Sequence, residues 1–124
     1  MKNFLTIVSL FLTLGAFAQS SDAVANALKA GDVAKFTNYF GSSVDVKLPQ
    51  KNEMKSVNKA SASDLVQSFF NSNKITGCEL FLPARELNGM TYVAGKLKGA
   101  QDYNITVVLK NNGNKMEVIT VRIV

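Results

Sequence analysis

The chain has 124 residues, of which 14 are basic and 9 acidic, with a net charge of +5, no histidine and one cysteine. Without histidine, a histidine-based nucleophilic triad, an imidazole general base and a histidine-ligated metal are all excluded. One cysteine excludes an internal disulfide, so the fold relies on packing.

The N-terminal segment reads as a secretory signal peptide: Lys2 supplies a positive start, Phe4 to Leu14 an apolar run, and Ala16-Phe17-Ala18 a small-x-small cleavage site. The run falls short of the roughly 20 residues that cross a bilayer, so no stable membrane anchor is expected after cleavage. Cleavage after Ala18 leaves 19–124 as a single exported domain, periplasmic or secreted, with a charge of 13 − 9 = +4 once Lys2 is gone.

Val24, Ala27 and Leu28 recur at helical spacing, as do Val33, Phe36 and Phe40, which predicts two short helices. Between them Gly31 suits the left-handed residue that ends one helix, and Asp32 suits the cap of the next. Val44, Val46 and Leu48 alternate as in a strand, Pro49 to Asn52 form a turn, and Glu53 to Val57 form a second strand. Lys47, Lys51, Lys55 and Lys59 recur every fourth residue, but Pro49 forbids a helix there, so they decorate a solvated hairpin edge. No aromatic residues interleave with them, and no nucleic-acid partner is expected.

Ser61 or Ser63 is the expected cap of a third helix, with Asp64 in its first turn and an apolar face of Leu65, Val66, Phe69 and Phe70 turned to the sheet. Strands follow over Thr76 to Leu82, Met90 to Lys98, Tyr103 to Lys110 and Met116 to Val124, joined by the turns Leu87-Asn88-Gly89, Gly99-Ala100-Gln101 and Asn111 to Asn114. Connections this short predict antiparallel neighbours. Cys78, between Gly77 and Glu79, reads as a small buried filler. Tyr103, Ile105, Val107 and Leu109 share one buried face, whereas the last strand is apolar on both. That double face suggests a homodimer through the C-terminal sheet. The fold class is α+β: a curved antiparallel sheet, or cone, packed on three helices in the order ααββαββββ.

This order resembles the nuclear transport factor 2-like superfamily. The pieces ALKAGDVAKFTNYF, SVDVKLP, DLVQSFF, GKLK and VRIV are similar to a family of small exported bacterial proteins of unknown function within it. The lysine- and serine-rich KSVNKASAS departs from the tidier helix start of such relatives. The resemblance implies a cone and no catalytic signature. Some superfamily members are isomerases or dehydratases with an acid or base and tyrosines in the cone, for which the candidates here are Asp45, Asp102, Tyr39, Tyr92 and Tyr103. Asp45 lies between two core-facing valines and Asp102 beside a turn, so neither has the expected setting of a catalytic acid. Phe36, Tyr39, Phe40, Phe69, Phe70 and Tyr103 are expected where helices meet sheet, as core or as the lining of an apolar pocket. The function expected is a non-enzymatic module that binds a small apolar ligand or a protein, without cofactor or metal; the alternative is an isomerase-like enzyme.

Overall fold

In the computed structural model, residues 16–113 and 115–124 are described, so the charged start and apolar run expected of the leader lie outside them. Helix α1 (Ala16–Ala30) buries Val24, Ala27 and Leu28 and stops at Gly31, whose φ is +69°. The Gly31 amide donates to Leu28 O at 3.0 Å and the Asp32 amide to Ala27 O at 2.9 Å, the paired bonds that close a helix on a left-handed residue. Asp32 then caps α2 (Val33–Asn38) by accepting from the Lys35 amide at 3.2 Å. A Cβ on Gly31 would lie 2.5 Å from the Thr76 backbone carbonyl, so this corner sits directly on the entrance to β3 (Gly77–Leu80).

Strands β1 (Phe40–Lys47) and β2 (Met54–Asn58) form the expected hairpin. Helix α3 (Lys59–Ser72) starts earlier than Ser61 or Ser63: Asn58 ends β2 and caps α3 itself, its side chain accepting from the Ser61 amide at 2.9 Å. Asparagine caps as well as serine does, and the strand thereby passes into the helix with no linker. Ala62, Val66 and Phe70 form the buried stripe of α3, while Phe69 reaches the sheet but is only half-buried.

The sheet is completed by β4 (Arg85–Leu87), β5 (Met90–Lys98), β6 (Tyr103–Asn112) and β7 (Lys115–Ile123), in the order β2-β1-β7-β6-β5-β3 with β4 beside β5. The expected strand over Thr76 to Leu82 is shorter, and β4 is an added element. Asn88 and Gly89, at φ +55° and +78°, make the tight turn that folds β4 back on β5.

The sheet is curved and mixed, for β1 runs parallel to β7 whereas the other pairs are antiparallel. Between β6 and β7, Leu109 pairs with Val118 and Val108 with Thr120, which leaves Ile119 as an extra residue. This bulge shifts the side-chain phase, so Val118 points to the core on one side of it and Val121 and Ile123 on the other. The apolar double face of the last strand is therefore one inward face whose register changes midway.

Helix stripes and sheet enclose one core in which Phe36, Leu28, Leu97, Ile105, Leu109 and Ile123 are fully buried. Phe36→Ala should cost about 3–5 kcal/mol in urea unfolding, from lost transfer energy and a residual cavity. Gly31→Ala should cost more than about 1 kcal/mol, since a positive φ and the contact with Thr76 both oppose a Cβ. A change within about 0.5 kcal/mol for either would be surface behaviour and would contradict this packing.

Candidate functional site

The six aromatic residues of the expected pocket divide into three places. Phe36, Phe40 and Phe70 are buried together, with ring centroids of Phe36 and Phe40 5.3 Å apart edge to face and those of Phe36 and Phe70 6.4 Å apart stacked. They fill the interior of the curve. Phe69 and Tyr103 meet edge to face at 5.0 Å and are half-buried at one end of α3. Tyr39 lies elsewhere, in a depression with Lys59, Lys115, Met116 and Glu117.

Beside Phe69 opens a cleft of about 270 Å³, walled by α3 on one side and by the turn from Leu48 to Lys51 on the other. From α3 it receives Leu65, Ser68, Phe69, Ser72 and Asn73, which follow i, i+3, i+4, i+7, i+8 spacing. The helix thus carries two adjacent stripes. One, Ala62-Val66-Phe70, is fully apolar and enters the core; the other mixes apolar and small hydroxyl side chains and faces the cleft. In the opposite wall the Lys51 amide donates to Leu48 O at 3.2 Å, with Pro49 second and Gln50 at φ +64° third, the layout of a type II turn.

Asn73 closes the cleft's far end. Its side-chain Oδ1 accepts from the Tyr103 hydroxyl at 3.0 Å, its Nδ2 donates to Phe69 O at 2.9 Å, and its carbonyl accepts from the Ala100 amide at 2.9 Å. Of the six aromatic residues expected in a pocket only Phe69 lines this cleft, and Leu48, Lys51, Ser68, Ser72 and Asn73 are not among the expected residues. The available signal was the spacing of the serines, which continue the helical period one residue round from the core face.

The acids proposed for catalysis have other occupations. Across the β1–β2 hairpin Val44 pairs with Val57 and Val46 with Met54, so β2 bulges, with Ser56 at φ +53°. Asp45 accepts from the Ser56 amide at 2.8 Å and so satisfies a group the bulge frees from the ladder. Asp102 pairs with Lys98 at 3.0 Å in the open, and Tyr92 is exposed with its hydroxyl 4.0 Å from Met90 S. Glu53 lies 2.9 Å from Lys55 and 2.8 Å from Arg122. The Lys55 hydrogen bond, with the charges of Lys55 and Arg122, holds its carboxyl below the ordinary range, although desolvation works the other way. Among the described residues no three acids or cysteines gather as a metal site would require, and every buried side-chain nitrogen or oxygen has a partner.

The architecture is an α+β fold like that of nuclear transport factor 2-like and cystatin-fold proteins, and a fold by itself assigns no function. The chain belongs to the family described as "Domain of unknown function (DUF4783)", which it matches over residues 21–124. It is similar in fold to a DUF4783 family protein of Bacteroides ovatus, at 24% identity and a TM-score of 0.73 over 82% of this chain and 90% of that one. It is also similar to an NTF-2-like protein of unknown function from Shewanella oneidensis, at 9% identity and a TM-score of 0.58 over 86% and 93% of the two chains. An uncharacterised cystatin-fold protein from Novosphingobium aromaticivorans matches at 12% identity and a TM-score of 0.59 over 86% and 95%. No curated protein matches the chain.

Cys78 is buried on β3, and desolvation, with the nearby Glu79 charge, pushes its thiol up to about 11. The thiolate is the reactive form, so at pH 8 a shift from 9.0 to about 11 lowers its population about 100-fold. Native protein should react with a colorimetric disulfide reagent at least about 100-fold more slowly than protein in urea. Comparable rates would mean that Cys78 is accessible.

Proposed function

We propose that this chain is an exported, non-enzymatic binding module that holds a small apolar ligand in the cleft between α3 and the Leu48–Lys51 turn. The observation that carries the reading is the second stripe of α3, where Leu65 and Phe69 pack on the edge of the core but stay half-buried beside open space. Four apolar residues and a few polar ones around a concave space are the usual composition of a small-molecule site. Export is supported by the leader pattern and by a family match that begins just past Ala18. Among the described residues no helix is long and apolar enough to cross a membrane. For the isomerase alternative, no buried acid stands beside a tyrosine among the described residues, and Asp45 and Asp102 serve the hairpin and a surface pair.

An interaction role is the second reading, and one observation favours it. Among the described residues, the exposed large apolar side chains Phe81, Leu82, Leu87 and Tyr92 all belong to the β3–β5 side of the sheet. A homodimer would therefore use that edge in preference to β7, whose apolar faces the bulge accounts for.

Thermal unfolding with 1-octanol as a neutral apolar probe tests the cleft. At 100 times its dissociation constant the probe should add about 2.7 kcal/mol of stability, and Phe69→Ala should weaken its binding. No protection by 1-octanol or by an eight-carbon amphiphile of either charge would overturn the ligand reading. Sedimentation as a dimer that Leu87→Lys dissociates without unfolding would favour the interface instead. Intact mass of exported protein should begin at Gln19 or within a residue or two; a chain retaining Met1 would refute export by cleavage.

A further inference from the structure

We propose that the cleft selects amphiphiles with a negatively charged head, and specifically a medium-chain carboxylate, with Lys51 as the residue that reads the charge. The inference rests on the cleft being the ligand site and adds the class of ligand. Among the described residues Lys51 is the single charged one that lines the cleft, and no carboxylate lines it. The remaining polar lining comes from Ser68, Ser72 and Asn73, all neutral. The potential there is therefore positive at one wall and unopposed, which favours an anion and disfavours a cation.

The other lysines of the hairpin differ from Lys51 in their engagements. Lys47 donates to Leu48 O at 2.7 Å, Lys55 pairs with Glu53 at 2.9 Å, and Lys59 donates to Asn38 O at 3.1 Å. Lys51 is placed by its backbone: its amide closes the turn, Pro49 presets the first corner, and Gln50 holds a left-handed φ that glycine would adopt more easily. The side chain is exposed at the rim while Leu48, Leu65 and Phe69 supply the apolar wall.

Size sets the length of the tail. A volume of about 270 Å³, at a water's share of about 30 Å³, takes about nine water-sized groups. Octanoate, with eight carbons and one carboxylate, is a probe of about that size, whereas a sixteen-carbon chain would leave about half of its tail in water.

Sodium octanoate, 1-octanol and octylamine, titrated in turn at low salt against the wild type by calorimetry with amide chemical shifts, separate the possibilities. Octanoate should bind about fivefold more tightly than 1-octanol, the upper end for an exposed ion pair, and octylamine more weakly than either. The perturbed amides should include those of Lys51, Leu65 and Phe69. Lys51→Gln should bring octanoate down to the level of 1-octanol while leaving 1-octanol unchanged, Lys51→Arg should keep the preference, and Lys55→Gln should change nothing. Equal binding of octanoate and 1-octanol by the wild type, or a preference that survives Lys51→Gln, overturns the charge selection and leaves the apolar cleft standing. Failure of all three probes to bind overturns both.

Discussion

Strand β7 has to satisfy two neighbours that run in opposite directions, β6 antiparallel and β1 parallel, and the rest of the molecule follows from how it does so. The two ladders space their hydrogen bonds differently. Opposite β6 the strand takes one extra residue, Ile119, and opposite β1 the pairing breaks between Phe40 and Asp45. The Val118 amide meanwhile donates to Tyr39 O at 2.8 Å, which ties the end of α2 to the middle of the sheet. These irregularities bend the strands, and a bent sheet can enclose α3 with one face. Without the Ile119 bulge, Val118 and Val121 would lie on opposite faces, because side chains alternate with a period of two.

Enclosure by the sheet leaves α3 with more apolar surface than the interior admits. Its inner stripe fills the space with Val66 and Phe70 against Phe36, and the next stripe round falls at the rim, where Phe69 packs on the edge of the core and against Tyr103. Asn73 fixes that pair by binding the tyrosine hydroxyl, the Phe69 carbonyl and the Ala100 amide, so the rim is rigid at its far end. At its near end the wall is a turn of four residues, pre-set by Pro49. A cleft built this way keeps its shape in the absence of a ligand, and a preformed site loses less affinity to ordering.

Much of this architecture is legible in the sequence, and the places where legibility ends have physical reasons. The Gly31-Asp32 corner, the hairpin around Pro49 and the strands from Met90 onward are local, each set by turn chemistry and alternation within a few residues. The sequence points to Ser61 or Ser63 as the cap of α3, whereas Asn58 at the end of β2 caps it, because the start of the helix depends on where Ala62 must reach the core. The phase change at Ile119 was read as two apolar faces because periodicity assumes an unbroken pleat. Parallel pairing of β1 with β7 joins residues 75 to 78 positions apart, for which no local pattern exists. Of the aromatic set expected where helices meet sheet, Phe36, Phe40 and Phe70 are core, Tyr39 lies in another depression, Phe69 alone borders the cleft and Tyr103 packs edge to face on it. Aromatic type says that a residue is bulky and apolar; which side of a filled core it occupies depends on the whole sheet.

The distribution of charge partners bears on chemistry more than the aromatic residues do. A carboxyl group that acts as a general acid near neutral pH needs burial away from cations, which raises its affinity for protons. Here Asp45 is spent on a bulged amide, Asp102 on Lys98, and Glu53 on Lys55 and Arg122, whose hydrogen bond and charges lower its pKa instead. The fold thus uses its acids to stabilise irregular backbone and to pin β2 to β7 across β1. Lys51 stands outside these pairings, at the rim of the one cleft whose apolar wall continues the stripe of α3. An anionic head there would gain a charge partner without breaking an existing one, and a tail against Phe69 would complete the burial that the sheet leaves unfinished.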